Sequence, residues 1–121
     1  DQVVELVAKK LGKLSKRTKK LKRKAPRIRH VEEYVYRPSE QVHLMVGFPS
    51  CSYKSNQRFE SFVVNELLGG SVTSRMYQKI REDKGLVYSV YSFLQSFVDS
   101  GLFLIYAGTS DKNAMSVMKA M

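Results

Sequence analysis

The sequence has 121 residues with 21 Lys/Arg against 11 Asp/Glu, a formal net charge of +10. Hydrophobic content of 43%, with 7 Tyr and 6 Phe, excludes global disorder, and no apolar run approaches the roughly 18 residues of a membrane-spanning helix. A single cysteine, Cys51, excludes an internal disulfide framework and the usual thiolate zinc cage.

The charge is unevenly placed. Residues 1–30 hold 12 Lys/Arg and two acids, whereas residues 31–121 hold 9 of each sign. The opening stretch carries Val3, Val4, Val7, Leu11 and Leu14 at helical spacing, so 1–14 is expected to form an amphipathic helix. Between Lys9 and Arg29 there are 12 basic residues and no acid. Self-repulsion there, and the extended bias that Pro26 imposes on Ala25, predict a linker over 15–30. The early positive charge is not followed by an apolar stretch and a cleavage site, so it does not read as a signal peptide. The remaining 31–121 read as one domain. The chain opens and closes within helical patterns, which suggests an excerpt of something longer.

Val31 to Arg37 is β-branched and aromatic and predicts a strand, with Pro38 and Ser39 after it. Gln41 to Phe48 follows, with Val42, Leu44, Val46 and Phe48 on one face, and then a loop over 49–55. Asn56 to Leu68 predicts a helix with Phe59, Phe62, Val63 and Leu67 inward, closed by Gly69 and Gly70. A second helix is expected from Val72 to Lys84, with Val72, Met76 and Ile80 inward and Gly85 as its stop. Val87 to Phe97 and Leu102 to Ala107 read as strands joined by a hairpin turn over 98–101. Ser110 or Asp111 would cap a last helix whose Met115, Met118 and Met121 form a core stripe. This order indicates an α+β fold, a two-layer α/β sandwich with a largely antiparallel sheet.

The segment from Leu68 to Val90 carries the most information. Gly69 and Gly70 end one helix and let the next begin almost at once, making a tight αα corner. Arg81 lies nine positions after Val72, about 180° round a helix, and so leaves the core face. Tyr88 stands just past the Gly85 turn. An Arg at a helix end and a Tyr at a strand start make a compact donor pair that suits a backbone carbonyl or carboxylate. Spacing alone also fits a plain surface Arg and a half-buried sheet Tyr.

This segment closely resembles the glycine-rich signature of the insulinase/pitrilysin-type zinc metallopeptidases, in the branch that includes mitochondrial processing peptidase and its bacterial relatives. The resemblance continues through Asp99 to Phe103 and Ile105 to Thr109, and upstream through Glu40 to Leu44 and Gly47 to Pro49. It implies a peptidase built from two similar domains facing a closed chamber. The first domain would supply zinc through an inverted His-x-x-Glu-His motif; the second would supply a substrate-holding Arg and Tyr, which fall on Arg81 and Tyr88. On this resemblance, 1–14 is the terminal helix of the preceding domain and 15–30 the interdomain linker. Ser71, where the family often has a third glycine, and Val87, where it often has Ala, are modest departures.

Zinc is expected in the parent enzyme but not on this segment, which by itself is expected to be inactive. The stretch His30-Val31-Glu32-Glu33-Tyr34 falls one residue short of the inverted motif. His43 sits mid-strand beside apolar neighbours. Cys51 reads as a free thiol, Glu32-Glu33 and Glu82-Asp83 as solvated charges, and Ser89, Ser92 and Ser96 match no nucleophile elbow.

The expected partners are a peptide or protein substrate and a zinc-bearing domain, in the same chain or in a partner subunit. A non-catalytic family subunit that binds extended peptides is the alternative. Nucleic-acid or anionic-surface binding through residues 9–29 is a third reading, weighed down by the absence of aromatics and groove-entry motifs there. No membrane partner is expected. Bacterial cytoplasm is slightly favoured over the periplasm and mitochondrial matrix that the resemblance also allows.

Overall fold

The computed structural model describes residues 2–14, 24–27, 29 and 38–121. The strand expected over 31–37, the His30–Tyr34 stretch and most of the basic linker lie outside the described residues. Helix α1 (Gln2–Leu11) forms as expected, and none of its residues is buried. After it come strand β1 (Val42–Ser50), helix α2 (Arg58–Asn65), strands β2 (Val87–Ser96) and β3 (Gly101–Thr109), and helix α3 (Ala114–Ala120). Two π-helical segments, Glu66–Gly70 and Tyr77–Glu82, flank the glycine corner between α2 and β2. No described helix is long and apolar enough to cross a membrane.

Among the described residues the three strands form one antiparallel sheet in the order β1-β3-β2. β2 and β3 are joined by the predicted hairpin, closed by Phe97 N–H donating to Ser100 C=O at 2.8 Å. β1 runs two residues further than its pattern suggested, through Pro49 and Ser50. Among the described residues β1 lies at the edge of this sheet, a position where Pro49 is tolerated because one side needs no ladder donor.

The period-two pattern assigns the faces. Leu44 lies opposite Ala107, and Val90 lies opposite Ala107 on the other side. Ala107, Ile105 and Val90 therefore share the inward face with Val87, where Met76 and Ile80 of the corner helix and Val117 of α3 cover them. Each buried Val, Ile or Met side chain of this cluster contributes about 1.5–3 kcal/mol, so the cluster is what fixes the corner helix to the sheet. The result is the α+β, two-layer arrangement expected from the sequence.

Three expectations about inward faces are corrected. Phe59, Phe62, Val63 and Leu67 of α2 and the turn after it are all exposed among the described residues. The side of α2 and the following Glu66–Gly70 segment that meets the sheet carries Asn65, Leu68 and Gly69 instead, because the sheet residue beneath is Ser92. Asn65 Oδ1 accepts from the Ser92 hydroxyl at 2.9 Å, and both residues are buried. Val72 is exposed and precedes the second helix, whose regular backbone begins only at Arg75. Local hydrogen bonds compete with the helix there: Ser74 N–H donates to Ser71 C=O at 3.1 Å, and the Gln78 side chain donates to Val72 C=O at 2.8 Å. In α3 the inward residue is Val117, fully buried, while Met115 and Met118 are exposed; Met121 packs partly against the core. Ser110 precedes the short 3₁₀ turn Asp111–Asn113 without a side-chain cap bond.

Candidate functional site

The corner helix ends at a left-handed residue. Gly85 has φ +57°, and its N–H donates to Arg81 C=O at 3.0 Å. That is the αL helix stop, in which glycine avoids the Cβ penalty. Leu86 N–H donates to Ile80 C=O at 3.1 Å, so the chain is pinned as it leaves the helix. From the other side, the Thr109 hydroxyl donates to Leu86 C=O at 2.6 Å and Asn113 Nδ2 reaches the same oxygen at 3.5 Å. The start of β2 is thus tied to both the helix and the far end of β3.

A β-bulge then aims Tyr88. The register passes from Val87 opposite Thr109 to Ser89 opposite Gly108, which leaves Tyr88 as the extra residue. Val87 and Val90 are both buried, so the two residues between them turn away from the core together. The Tyr88 side chain is 58% exposed, as a bulge that re-aims a side chain would leave it. Arg81, half-buried, sends its guanidinium to the Tyr88 main-chain carbonyl. The structure therefore brings the Arg81 side chain to the Tyr88 backbone, not to the Tyr88 hydroxyl. A guanidinium has five N–H donors, so this one contact leaves others available.

Sequence reasoning missed one neighbour. Tyr77 lies one helical turn before Arg81, and the Arg81 guanidinium carbon stands 5.3 Å from the Tyr77 ring centroid, within cation–π reach. The four-residue spacing was the available signal. Tyr77 is half-buried and packs against the core cluster.

Gly69 shows why the corner needs glycine. It is buried, and a Cβ there would lie 2.5 Å from Met76 Cε and 2.5 Å from the backbone nitrogen of Ser92. Gly70 is exposed, and a Cβ there would meet the Glu66 carboxylate at 2.5 Å. Gly69 thus lets the chain pass close over β2, whereas Gly70 faces only the flexible Glu66 side chain.

Metal donors do not converge here. No group of three or more His, Cys, Asp or Glu side chains could hold a metal ion among the described residues. His43 Nδ1 is 2.7 Å from the Tyr106 hydroxyl, on the outer sheet face where Tyr106 also packs on Tyr91 at 4.8 Å between centroids. Cys51 is a free thiol with its sulfur 3.1 Å from the Ser61 hydroxyl. These residues do not fit the His and carboxylate set of a zinc site.

The family model described as "Peptidase M16 inactive domain" matches residues 1–121. The chain belongs to this family. Among curated proteins it is 40% identical over 87 residues to an uncharacterized zinc protease of Streptomyces coelicolor, covering 72% of this chain and 19% of that protein. It is 48% identical over 71 residues to the uncharacterized zinc protease YmxG of Bacillus subtilis, covering 59% of this chain and 17% of that one. Among solved structures it is similar to a peptidase M16 inactive domain from Pseudomonas fluorescens, with TM-score 0.64 and 28% identity, covering 68% of this chain and 20% of the other. A protease from Helicobacter pylori shares the fold over 98% of this chain and 31% of its own, with TM-score 0.66 and 19% identity. The chain spans about a fifth of the length of the curated relatives it matches. The insulinase-type resemblance read from the glycine signature is thereby established at the level of the family.

Proposed function

We propose that this chain is the substrate-gripping part of a zinc-dependent metalloendopeptidase. In this reading Arg81 and Tyr88 hold a peptide while another domain, in the same chain or in a partner subunit, supplies the metal. The observation that carries it is the bond from the Arg81 guanidinium to the main-chain carbonyl of the bulged Tyr88, whose side chain faces outward. The relatives named zinc proteases support the reaction class, and the family membership supports the division of labour.

Chemically, Arg81 offers N–H donors at the helix–strand junction, and Tyr88, whose backbone it holds, offers an O–H donor on an exposed side chain. Donors fixed before the reaction act best where negative charge develops, as on the carbonyl oxygen of a peptide under attack. Their contribution is to orient the scissile peptide and stabilise that oxygen. No step of bond cleavage is assigned to this chain's residues.

The domain assignment follows the same reading. Val3, Val4, Val7 and Leu11 on α1 are all exposed, an apolar stripe that calls for a partner surface. We assign α1 to the end of a preceding domain, residues 15–30 to the interdomain linker, and 31–121 to part of the non-zinc domain.

The test uses the full-length protein, zinc-loaded, with casein and an internally quenched unstructured peptide as substrates. Wild type is expected to cleave both, and Arg81→Ala and Tyr88→Phe to lose turnover while remaining folded. Unchanged turnover in both variants would remove the assigned role. Absence of cleavage by wild type, with no inverted His-x-x-Glu-His motif in the full sequence, would instead point to a companion subunit that binds peptides.

A further inference from the structure

An arginine side chain is long and has many rotamers, so a guanidinium that must meet a substrate carbonyl needs holding in advance. Arg81 is held on one edge by the Tyr88 carbonyl. The Tyr77 ring lies against it at 5.3 Å from its centroid. Tyr77 is itself fixed, because its ring is half-buried and packs on the cluster around Met76 and Ile80. It also sits within the π-helical segment Tyr77–Glu82, the same element that carries Arg81, so ring and guanidinium move as one unit with the helix.

We propose that Tyr77 is a positioning residue for Arg81: its aromatic face and the Tyr88 carbonyl together fix the guanidinium plane before substrate arrives. This rests on the substrate-gripping role proposed for Arg81. The aromatic face is the active feature and the Tyr77 hydroxyl is dispensable. Tyr77 touches no substrate and acts only through Arg81. Its loss therefore lowers the chance of a productive geometry and is felt in kcat more than in KM.

A double-mutant cycle in the zinc-loaded full-length protein tests this, with the internally quenched peptide as substrate. Tyr77→Leu, which keeps apolar volume but removes the ring, is expected to lower kcat/KM about fivefold, mostly through kcat. Tyr77→Phe is expected to stay within about twofold of wild type, since the ring face is kept. In the Arg81→Ala background, Tyr77→Leu is expected to change nothing further, because the group it positions is gone. Should Tyr77→Leu fail to fold, Tyr77→Met carries the same comparison.

If Tyr77→Leu instead multiplies its full effect onto Arg81→Ala, Tyr77 supports the fold generally and the positioning role is wrong. A Tyr77→Phe variant as impaired as Tyr77→Leu overturns it too, by assigning the effect to the hydroxyl. Those failures leave the gripping role of Arg81 standing. An Arg81→Ala variant with wild-type kinetics removes both proposals at once.

Discussion

At the entrance to the corner helix, Gly69 is buried with no room for a side chain; at its exit, Gly85 stands in open space. A Cβ on Gly69 would strike Met76 and the backbone nitrogen of Ser92, whereas one on Gly85 would meet nothing within 4 Å. Gly85 is needed for its backbone, at φ +57°. The two ends thus use the same residue for unrelated physical reasons. Gly69 sets how closely α2 and its last turn approach β2, which is a matter of packing. Gly85 sets the angle at which the chain leaves the helix, which decides where Tyr88 stands relative to Arg81. One end holds the fold, and the other aims the site.

Four substitutions in the full-length protein separate these roles. The largest effect is expected from Gly69→Ala. A backbone atom of the central hairpin cannot step aside, so overpacking should cost the domain about 3 kcal/mol in urea unfolding, with activity falling in step. A cost below about 1 kcal/mol would mean that the corner yields more easily than the close approach implies.

Arg81→Ala comes next, with kcat/KM for the quenched peptide falling about 100-fold at an unchanged unfolding midpoint. Gly85→Ala forces a Cβ into the left-handed region and should cost about 1–2 kcal/mol. Asn at the same position, which tolerates that conformation, should cost less than Ala. Activity in Gly85→Ala should fall further than its stability loss explains, because the Arg81–Tyr88 relation shifts. Proportionate losses in Gly69→Ala and Gly85→Ala would erase the distinction between the two ends. Tyr88→Phe is the smallest, about a tenfold loss in kcat/KM from one hydroxyl donor, with stability unaffected since that side chain is exposed.

How much was legible in the sequence follows from what periodicity can and cannot encode. The period-two pattern of Val42, Leu44, Val46 and Phe48 located β1 and its inward face, although Phe48 at the end of the pattern is exposed. The turn chemistry around Ser100 and Gly101 located the hairpin, and Gly85 announced the helix stop. In α2 the pattern found a real apolar face, but Phe59, Phe62, Val63 and Leu67 do not meet this sheet. Periodicity reports that a face is apolar; it does not say which surface covers it. The side chosen instead depends on Ser92, 27 residues from Asn65, a pairing no local window contains. Val72 was misplaced because the Ser74 N–H to Ser71 C=O bond and the Gln78 side chain on the Val72 carbonyl hold a turn there before the helix begins.

Arg81 and Tyr88 were singled out by spacing and by the family resemblance. Their geometry was not legible there. That Arg81 would bond the Tyr88 carbonyl depends on a bulge, visible only once Val87 and Val90 are both seen buried against the same core. Tyr77 was hidden for a simpler reason: one turn from Arg81, it read as another helix residue.

The most direct measurement is a structure of the full-length protein, stripped of metal so that it cannot cleave, with the unstructured peptide bound. The account predicts a peptide carbonyl oxygen within roughly 2.7–3.2 Å of an Arg81 guanidinium nitrogen, with the Tyr88 hydroxyl beside it. A peptide seated with no atom near either side chain, while still well ordered, would contradict it.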